Sequence, residues 1–356
     1  MAGDDVSGAS PRAIDVHAHF YPPEYVAVVR EVAAQEGRAG DIARAFLAHR
    51  IITAVPTFLG ALDERLRLLD DAGIEKQLLS FASLTVWHPD PGMRARLVTA
   101  FNDGCSAVVE RAPDRFGLLA SLPLPHIAES ATEARRARGL PGFSGYSIPT
   151  HIDTAPIDDA RFESVYAAMA EGGADGASTL VLAHPDGFCA PGALADHGME
   201  WAIGAPFEDT IAAVRLIASG LAERHPGLQW VIPHLGGTLP FLLHRLRWRW
   251  RLEAEHLGTP DHSGGALERL LFDSANCSPE TLRLAREVLP EGSIVFGSDF
   301  PFVDPTDLAR PVALVADHAA DARGILHDRL ASRLAPAPPS APTSAASPPA
   351  TQKEPA

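Results

Sequence analysis

The sequence predicts a single (β/α)8 TIM barrel of the α/β class, on three observations. Eight short apolar runs recur along the chain, and stretches with helical periodicity lie between most of them. The chain has 356 residues, of which 46% are hydrophobic, and this size suits one large barrel with a buried core. Histidine or aspartate ends several of the runs, and in this fold active sites lie at the C-terminal ends of the strands.

The eight apolar runs are predicted to be the barrel strands, because strands buried on both faces have continuous apolar sequences. They cover residues 13–19, 76–82, 116–124, 142–150, 178–184, 229–236, 270–275 and 293–299. The predicted helices are Ala61–Asp71, Arg94–Glu110, Ile127–Arg138, Arg161–Ala170, Thr210–Arg224, Leu239–His256 and Pro279–Val288, with the last helix within Pro311–Leu334. This alternation of strand and helix indicates a parallel sheet that closes into a barrel.

Two segments interrupt the alternation, and we expect both to be small insertions at the C-terminal face of the barrel. Residues 21–60 are predicted to hold an extra helix and a loop, and residues 185–207, rich in glycine and proline, follow the fifth strand. The barrel domain is predicted to span residues 13–334, after a flexible N-terminus of residues 1–12. Residues 335–356 are nearly all Ala, Pro, Ser and Thr, and are predicted to form a disordered tail.

The charge and composition of the chain exclude several classes of partner. A formal net charge of -15 disfavours nucleic acid, because phosphate binding requires a basic surface. The one dense basic segment, Arg245–Arg251, is interpreted as a solvated or subunit-contact helix. No apolar run approaches the roughly 18 residues that span a bilayer, and three scattered cysteines argue against a disulfide framework. We therefore expect a soluble cytoplasmic protein with no membrane partner.

Four side chains of the metal-ligand type stand at the ends of predicted strands. His17 and His19 are two residues apart at the tip of the first strand, where alternate residues share a face. His184 ends the fifth strand and Asp299 ends the eighth. Three imidazoles and one carboxylate suit a borderline divalent ion, so we predict one zinc ion, with manganese as the alternative. For the histidine pair taken alone, hydrogen-bonded strand-end histidines are the competing interpretation.

Two further histidines lie at or near the ends of predicted strands. His234 precedes Gly236–Gly237, which would let a substrate or a backbone approach closely, and we favour an acid–base role for it over metal ligation. His151 either lines the pocket or caps a turn. Lys76 and Lys353 are the only lysines, so no carboxylated lysine can bridge two metal ions at the end of the fourth strand. A single metal ion is therefore expected.

Aromatic residues are predicted near several strand tips. Flat rings there could sandwich a benzoate, which favours an aromatic carboxylic acid as the small-molecule substrate. These residues are Phe20, Tyr21, Trp87, Trp201 and Phe302. Ordinary packing is the competing interpretation for each of them taken singly.

Four motifs resemble the amidohydrolase-related family typified by aminocarboxymuconate-semialdehyde decarboxylase. They are Ile14–Phe20, Ala183–Pro185, Pro233–Pro240 and Gly297–Phe302. The resemblance extends over residues 13–303 and implies a mononuclear metal-dependent enzyme that removes carbon dioxide without oxidation. The four predicted metal ligands match the ligand positions of that family, and His234 matches its catalytic histidine. Arg245 matches an arginine that in the muconate enzyme holds a substrate carboxylate in a neighbouring subunit's active site, which implies a homodimer.

The leading hypothesis is a decarboxylase, a carboxy-lyase, of an ortho-hydroxylated, salicylate-like aromatic acid or of an unsaturated acid. In this hypothesis either Asp299 or His234 protonates the carbon that loses carbon dioxide. The alternative is a mononuclear hydrolase that acts on a lactone or an amide through metal-bound hydroxide. A third hypothesis, a non-catalytic barrel that senses a metabolite, would be marked by degraded ligand positions, whereas all four ligand residues are present.

Overall fold

Eight parallel strands form the barrel that the sequence predicts. The computed structural model describes residues 12–55, 60–81, 86–171, 178–186, 194, 196–262, 264–302 and 306–334. The barrel strands are β1 (Ala13–His19), β2 (Ile74–Ser80), β3 (Phe116–Ala120), β4 (Phe143–Pro149), β5 (Thr179–His184), β6 (Leu228–Ile232), β7 (Leu270–Asp273) and β8 (Ile294–Val295). Each pairs in parallel with the next along the chain. The predicted tail and residues 1–11 lie outside the described residues.

Helices surround the barrel and fill the two insertions. They are α1 (Pro23–Ala33), α2 (Arg38–Ala48), α3 (Arg50–Ala54), α4 (Leu62–Ala72), α5 (Pro91–Arg111), α6 (Ile127–Ala137), α7 (Glu163–Ala170), α8 (Ala205–Ala218), α9 (Leu221–Arg224), α10 (Leu239–Leu257), α11 (Pro279–Val288), α12 (Ala309–His318) and α13 (Arg329–Leu334). Short helical turns lie at Ala160–Phe162, Glu200–Gly204, His234–Gly236, Gly265–Arg269 and Gly324–Asp328. Within the described ranges, none of the helices is long and apolar enough to cross a membrane.

The insertions and the C-terminal region differ in detail from the prediction. The first insertion holds three helices instead of one, because the chain turns at Gly37, whose φ of 87° falls in a region that favours glycine, and α2 begins after it. The predicted last helix is divided into α12 and α13. A hairpin of two short antiparallel strands, His151–Ile152 and Ala155–Pro156, follows β4 and was not predicted.

Backbone hydrogen bonds between β1 and the segment after β8 close the barrel. The His19 N–H donates to the Phe300 carbonyl with an N–O distance of 2.7 Å, and the Asp299 N–H donates to the His17 carbonyl at 2.8 Å. These bonds continue the parallel pairing beyond the short strand β8. The ends of the first and last strands are therefore fixed side by side.

A bulge in β1 changes the face on which its side chains lie. The pairing of β1 with β2 shifts register beyond Asp15. The Asp15 carboxylate accepts a bond from Gln77 Nε2 at 2.8 Å, and Gln77 Oε1 accepts one from Arg65 of α4 at 3.0 Å. His17, two residues later, bonds Asp273 of β7 instead. Because a bulge redirects the side chains that follow it, Asp15 anchors an outer helix while His17 joins the strand-end residues.

Apolar side chains fill the barrel below those strand-end residues. Seven strands contribute to one buried cluster, formed by Ile14, Val16, Leu78, Leu119, Leu180, Leu182, Val231, Leu271 and Val295. Leu330 of α13 packs against this cluster, and Arg329 Nη1 donates to the Ile294 carbonyl at the beginning of β8. The last helix therefore covers the N-terminal end of the barrel, and the opposite end carries the polar residues.

Gly297 lies where the backbone packs closely against two strand-end residues. A Cβ atom at this position would be 2.8 Å from His17 Cβ and 2.9 Å from Asp273 Cβ. We expect Gly297→Ala to lower the free energy of unfolding by about 1–3 kcal/mol, because an added methyl group forces its neighbours to move. Denaturant unfolding measures this change. The control is Gly264→Ala, whose Cβ would meet no atom within 4 Å, and an equal loss in both variants would contradict the prediction.

Candidate functional site

His17, His19, His184 and Asp299 converge at the C-terminal end of the barrel. One ligand atom from each residue can be chosen so that all four lie within 4.8 Å of one another. The Nε2 atoms of His17 and His19 are 3.1 Å apart, and Asp299 Oδ1 lies 3.3 Å from the first and 3.1 Å from the second. Ligand atoms that bind one zinc ion at about 2.0–2.1 Å are separated by roughly such distances. All four residues are buried.

Each of the three imidazoles is held through its Nδ1 atom. The pairs are His17 with Asp273 Oδ2 at 2.9 Å, His19 with Ser80 Oγ at 3.0 Å, and His184 with the Pro185 carbonyl at 2.7 Å. Ser80 donates its own proton to the Ala18 carbonyl, so its oxygen accepts from His19. Because a carboxylate and a carbonyl only accept, Nδ1 carries the proton in each case and Nε2 is free to bind a cation. The residues therefore fit a divalent metal ion.

Burial and the two nearby carboxylates set the charge at the cluster. Burial holds the pKa of His184 well below its ordinary value and lowers the pKa of His19 to about 4, so both imidazoles are neutral, as metal ligands must be. Burial also lowers the pKa of His17, but Asp273 and Asp299 outweigh it and raise that pKa to about 10. The carboxylates therefore require a positive charge at this point, and either a proton or a bound cation supplies it.

His234 lies beside the cluster, on the turn after β6. Its Nδ1 atom is 2.8 Å from Asp209 Oδ2, and its Nε2 atom is 3.6 Å from Asp299 Oδ2. Burial lowers the pKa of His234, but Asp209 and Asp299 outweigh burial and hold it well above its ordinary value. Burial in turn raises the pKa of Asp209 to about 6. His234 thus stands between two carboxylates and does not belong to the group of four ligand residues.

The backbone at this end of the barrel has an unusual concentration of positive φ angles. Six non-glycine residues in the described ranges have positive φ, and four of them lie in or beside the metal-ligand cluster: His234, Leu235, Asn276 and Asp299. Such conformations persist only where the surroundings fix them, and they concentrate at functional sites. At Gly237, with φ of 62°, a Cβ atom would lie 1.8 Å from the Pro206 carbonyl oxygen. The close backbone approach expected for the glycine pair is therefore present, between this turn and α8.

Asp273, which the sequence interpretation did not include, links the cluster to His234. Its Oδ2 atom holds His17, while its Oδ1 atom accepts the His234 backbone N–H at 3.0 Å and the Ala275 N–H at 2.9 Å. Asp209, in the first half of α8, was also missed. The sequence carries a signal for Asp273, which lies two residues before the end of the predicted strand at residues 270–275, whereas Asp209 lies in a helix.

A cavity of about 840 Å³ opens over His184, His234 and Asp299. Cavities of roughly 300–1,000 Å³ with mostly apolar walls are typical of small-molecule sites. The large apolar side chains of the wall are Trp201, Leu235, Phe241, Leu284 and Phe302. No lysine or arginine is among the described residues that line it. A flat, largely apolar molecule with one polar end directed to the cluster fits this wall.

Four of the five predicted aromatic residues divide into two groups. Trp201 and Phe302 line the cavity, and the Phe302 ring centroid is 5.4 Å from that of His19. Phe20 is 1% exposed and lies in the core, where the Arg65 guanidinium covers its ring at 5.6 Å. Tyr21 is also buried, stacked on Tyr25. Proximity to a strand tip does not fix the direction of a side chain, and these two point away from the cavity.

Three other predicted substrate-binding residues do not line the cavity of their own chain. Trp87 is partly buried on the segment before α5. His151 lies in the hairpin after β4, with Nδ1 3.4 Å from Glu208 Oε2. Arg245 is exposed on α10, where the described residues offer it no ion pair. Whether each binds substrate stays a prediction.

This chain is similar in sequence to one protein family, and in sequence and structure to proteins named as decarboxylases. The amidohydrolase family model matches residues 14–328. The 6-methylsalicylic acid decarboxylase of Penicillium expansum is 28% identical over 305 residues, which cover 81% of this chain and 84% of that protein. The crystal structure of 5-carboxyvanillate decarboxylase from Sphingomonas paucimobilis has a TM-score of 0.77 at 24% identity, covering 91% of this chain and 99% of that one. The Novosphingobium aromaticivorans enzyme of the same name was crystallised with bound manganese. Its structure has a TM-score of 0.75 at 21% identity and covers 91% of this chain and 97% of that one.

Asp273→Asn tests whether the bond between Asp273 and His17 stabilises metal binding by the cluster. We expect this variant to bind its metal ion about 10- to 100-fold more weakly, because an amide replaces the carboxylate that orients His17. Competition with a chelator measures the affinity. The control is Asp41→Asn, which changes an exposed carboxylate on α2. An unchanged affinity in Asp273→Asn would show that the cluster does not depend on this bond.

Proposed function

The chain belongs to the amidohydrolase family, and from this premise we propose that it is a metal-dependent, non-oxidative decarboxylase of a hydroxylated aromatic acid. The observation that carries the proposal is the convergence of three imidazoles and a carboxylate beside His234, under an apolar cavity. The similarity to 6-methylsalicylic acid decarboxylase supports both the reaction and the substrate class. Under this proposal the substrate is a small carboxylic acid of the salicylate type.

The metal ion in this proposal is held by His17, His19, His184 and Asp299. We propose zinc, because zinc suits a set of three imidazole nitrogens and one carboxylate. Manganese is the other candidate, supported by the manganese bound in the Novosphingobium enzyme. When bound, a divalent cation supplies a positive charge that holds the substrate carboxylate and its neighbouring hydroxyl group.

Proton delivery is assigned to His234 together with Asp299. His234 Nε2 lies 3.6 Å from Asp299 Oδ2, and both residues line the cavity, so a proton can pass from this pair to the ring carbon that bears the carboxylate. The carbon–carbon bond then breaks, its electron pair restores the aromatic ring, and carbon dioxide leaves. Asp209, bonded to His234 Nδ1, keeps Nε2 directed at the cavity. Trp201 and Phe302 provide flat apolar walls for the ring.

Carbon dioxide release from a pool of salicylates, resorcylates and unsaturated acids tests this function. We expect the metal-loaded protein to release carbon dioxide, and His234→Ala to reduce the rate by at least about 100-fold while keeping its metal, because a general acid contributes about 10²–10⁴-fold. The control is His256→Ala, an exposed histidine at the end of α10.

Other results of this experiment contradict parts of the proposal. Hydrolysis of a lactone or amide without carbon dioxide release would establish the alternative activity. Loss of bound metal from His234→Ala would make this residue a ligand instead of a proton carrier.

We also propose that the protein acts as a homodimer in which Arg245 reaches the partner's cavity. Phe241, Arg245 and Trp248 follow one another at spacings of four and three residues, which places them on one face of α10. Phe241 is 80% exposed and Trp248 is 54% exposed. An exposed apolar surface of this kind marks an interaction site. Since the described residues lining the cavity include no lysine or arginine, an arginine from a second copy would supply the missing positive charge.

Mixing two inactive variants tests the shared site. We expect His234→Ala and Arg245→Ala to be inactive separately and, after mixing and exchange, to recover about a quarter of the wild-type activity, because half of the dimers are hybrids with one intact site. Carbon dioxide release and the molecular mass in solution are the measurements. Full activity of Arg245→Ala alone, or a monomer in solution, would contradict the proposal.

A further inference from the structure

Asn276 contacts the metal-ligand cluster from the turn after β7. Its Nδ2 atom donates to Asp299 Oδ2 at 2.9 Å. Asp299 Oδ1, the other oxygen, is the one that lies near His17 and His19. The two oxygens of Asp299 are therefore divided between the imidazole ligands on one side and the Asn276 amide on the other.

The chemistry of the two groups fixes the orientation of the amide. An ionised carboxylate can only accept, so the nitrogen of the Asn276 amide must face Asp299. The amide oxygen then points away from Asp299, and within the described ranges it accepts no hydrogen bond. Asn276 is exposed and lines the cavity. A hydrogen-bond acceptor with a fixed direction therefore stands at the cavity wall.

The backbone at Asn276 is held in a matching position. Its φ angle is 54°, in the left-handed region, where asparagine is among the non-glycine residues most often found. Two hydrogen bonds hold the turn in place. Asp273 Oδ1 accepts the Ala275 N–H, and the Ser274 N–H donates to the Val295 carbonyl at 3.0 Å. The Asn276 side chain is thus carried by a rigid turn that also supports His17.

From this geometry we infer that Asn276 positions Asp299 and binds a hydroxyl group of the substrate. The amide nitrogen holds Asp299 so that Oδ1 stays with the imidazole ligands. The amide oxygen accepts a hydrogen bond from a second phenolic hydroxyl, which is ortho to the carbon that carries the carboxylate and distinct from the hydroxyl that the metal ion holds. The chemical class of the substrate rests on the proposed function, whereas the positioning of Asp299 does not.

Two substitutions separate the amide from the backbone that carries it. Asn276→Gly keeps the left-handed conformation without strain and removes the amide. Asn276→Asp keeps the size and the tolerance of this conformation, but replaces the donor with a second carboxylate. Asp153→Gly is the matched control, since Asp153 is also exposed with φ of 58° and lies in the hairpin after β4.

The first measurement uses resorcinol and 3-methylphenol, which differ by one hydroxyl in place of a methyl group, as probes of the metal-loaded protein. We expect the binding preference for resorcinol over 3-methylphenol, measured by calorimetry, to fall about fivefold in Asn276→Gly, because one neutral hydrogen bond is lost. Asp153→Gly should keep the wild-type ratio. An unchanged ratio in Asn276→Gly, or no binding of either phenol to the wild type, would overturn the assigned hydroxyl contact.

The second measurement is the rate of metal release to a chelator. We expect about 10-fold or faster release from both Asn276 variants than from the wild type and Asp153→Gly, because Asp299 loses its fixed direction. Release at the wild-type rate would overturn the positioning role. If the binding preference for resorcinol over 3-methylphenol depends on Asn276 but no acid is decarboxylated, the proposed function fails and the inference stands. If an acid is decarboxylated while both Asn276 readouts stay unchanged, the inference fails and the proposed function stands.

Discussion

The arrangement of this site depends on the hydrogen bonds that hold the Nδ1 atoms of three histidines. Asp273, Ser80 and the Pro185 carbonyl each accept one of these protons. With Nδ1 protonated, the only lone pair left on each ring is at Nε2, and all three rings meet at one point beside Asp299. Without these acceptors each ring could flip or change tautomer, and the same residues would not present a common set of ligand atoms.

Asp273 extends this constraint from the metal-ligand cluster to the proton-carrying pair. One of its oxygens orients His17, and the other fixes the backbone at His234 and at the turn that carries Asn276. Gly297 packs against the Cβ atoms of His17 and Asp273, so the backbone after the last strand is also adapted to this carboxylate. The cluster, His234 and the cavity wall are therefore parts of one rigid unit at the C-terminal end of the barrel.

The sequence predicts the barrel and the four clustered residues because both depend on local patterns. An apolar run predicts a strand, and a ligand-type residue at its end lies at the C-terminal face. The residues that hold the site in place are harder to predict from the sequence. Asp209 lies within α8, and Asn276 is exposed on a turn, so neither follows from position along a strand.

The aromatic residues also show that the sequence does not predict the direction of a side chain. Trp201 and Phe302 line the cavity, whereas Phe20 and Tyr21 are buried in the core, although Phe20 and Tyr21 directly follow the strand that ends in His17 and His19. Side-chain direction at a strand end depends on bulges and on the neighbouring strands. The bulge after Asp15 is one such feature, and no sequence period reveals it.

Metal dependence of decarboxylation tests the central claim most directly. The measurement is carbon dioxide release from hydroxylated benzoates by protein stripped of metal with a chelator and then titrated with zinc or manganese. We expect no release from the stripped protein and full release at one ion per chain, because four residues converge on a single point. Release without any metal ion, or a requirement for two ions per chain, would contradict this claim.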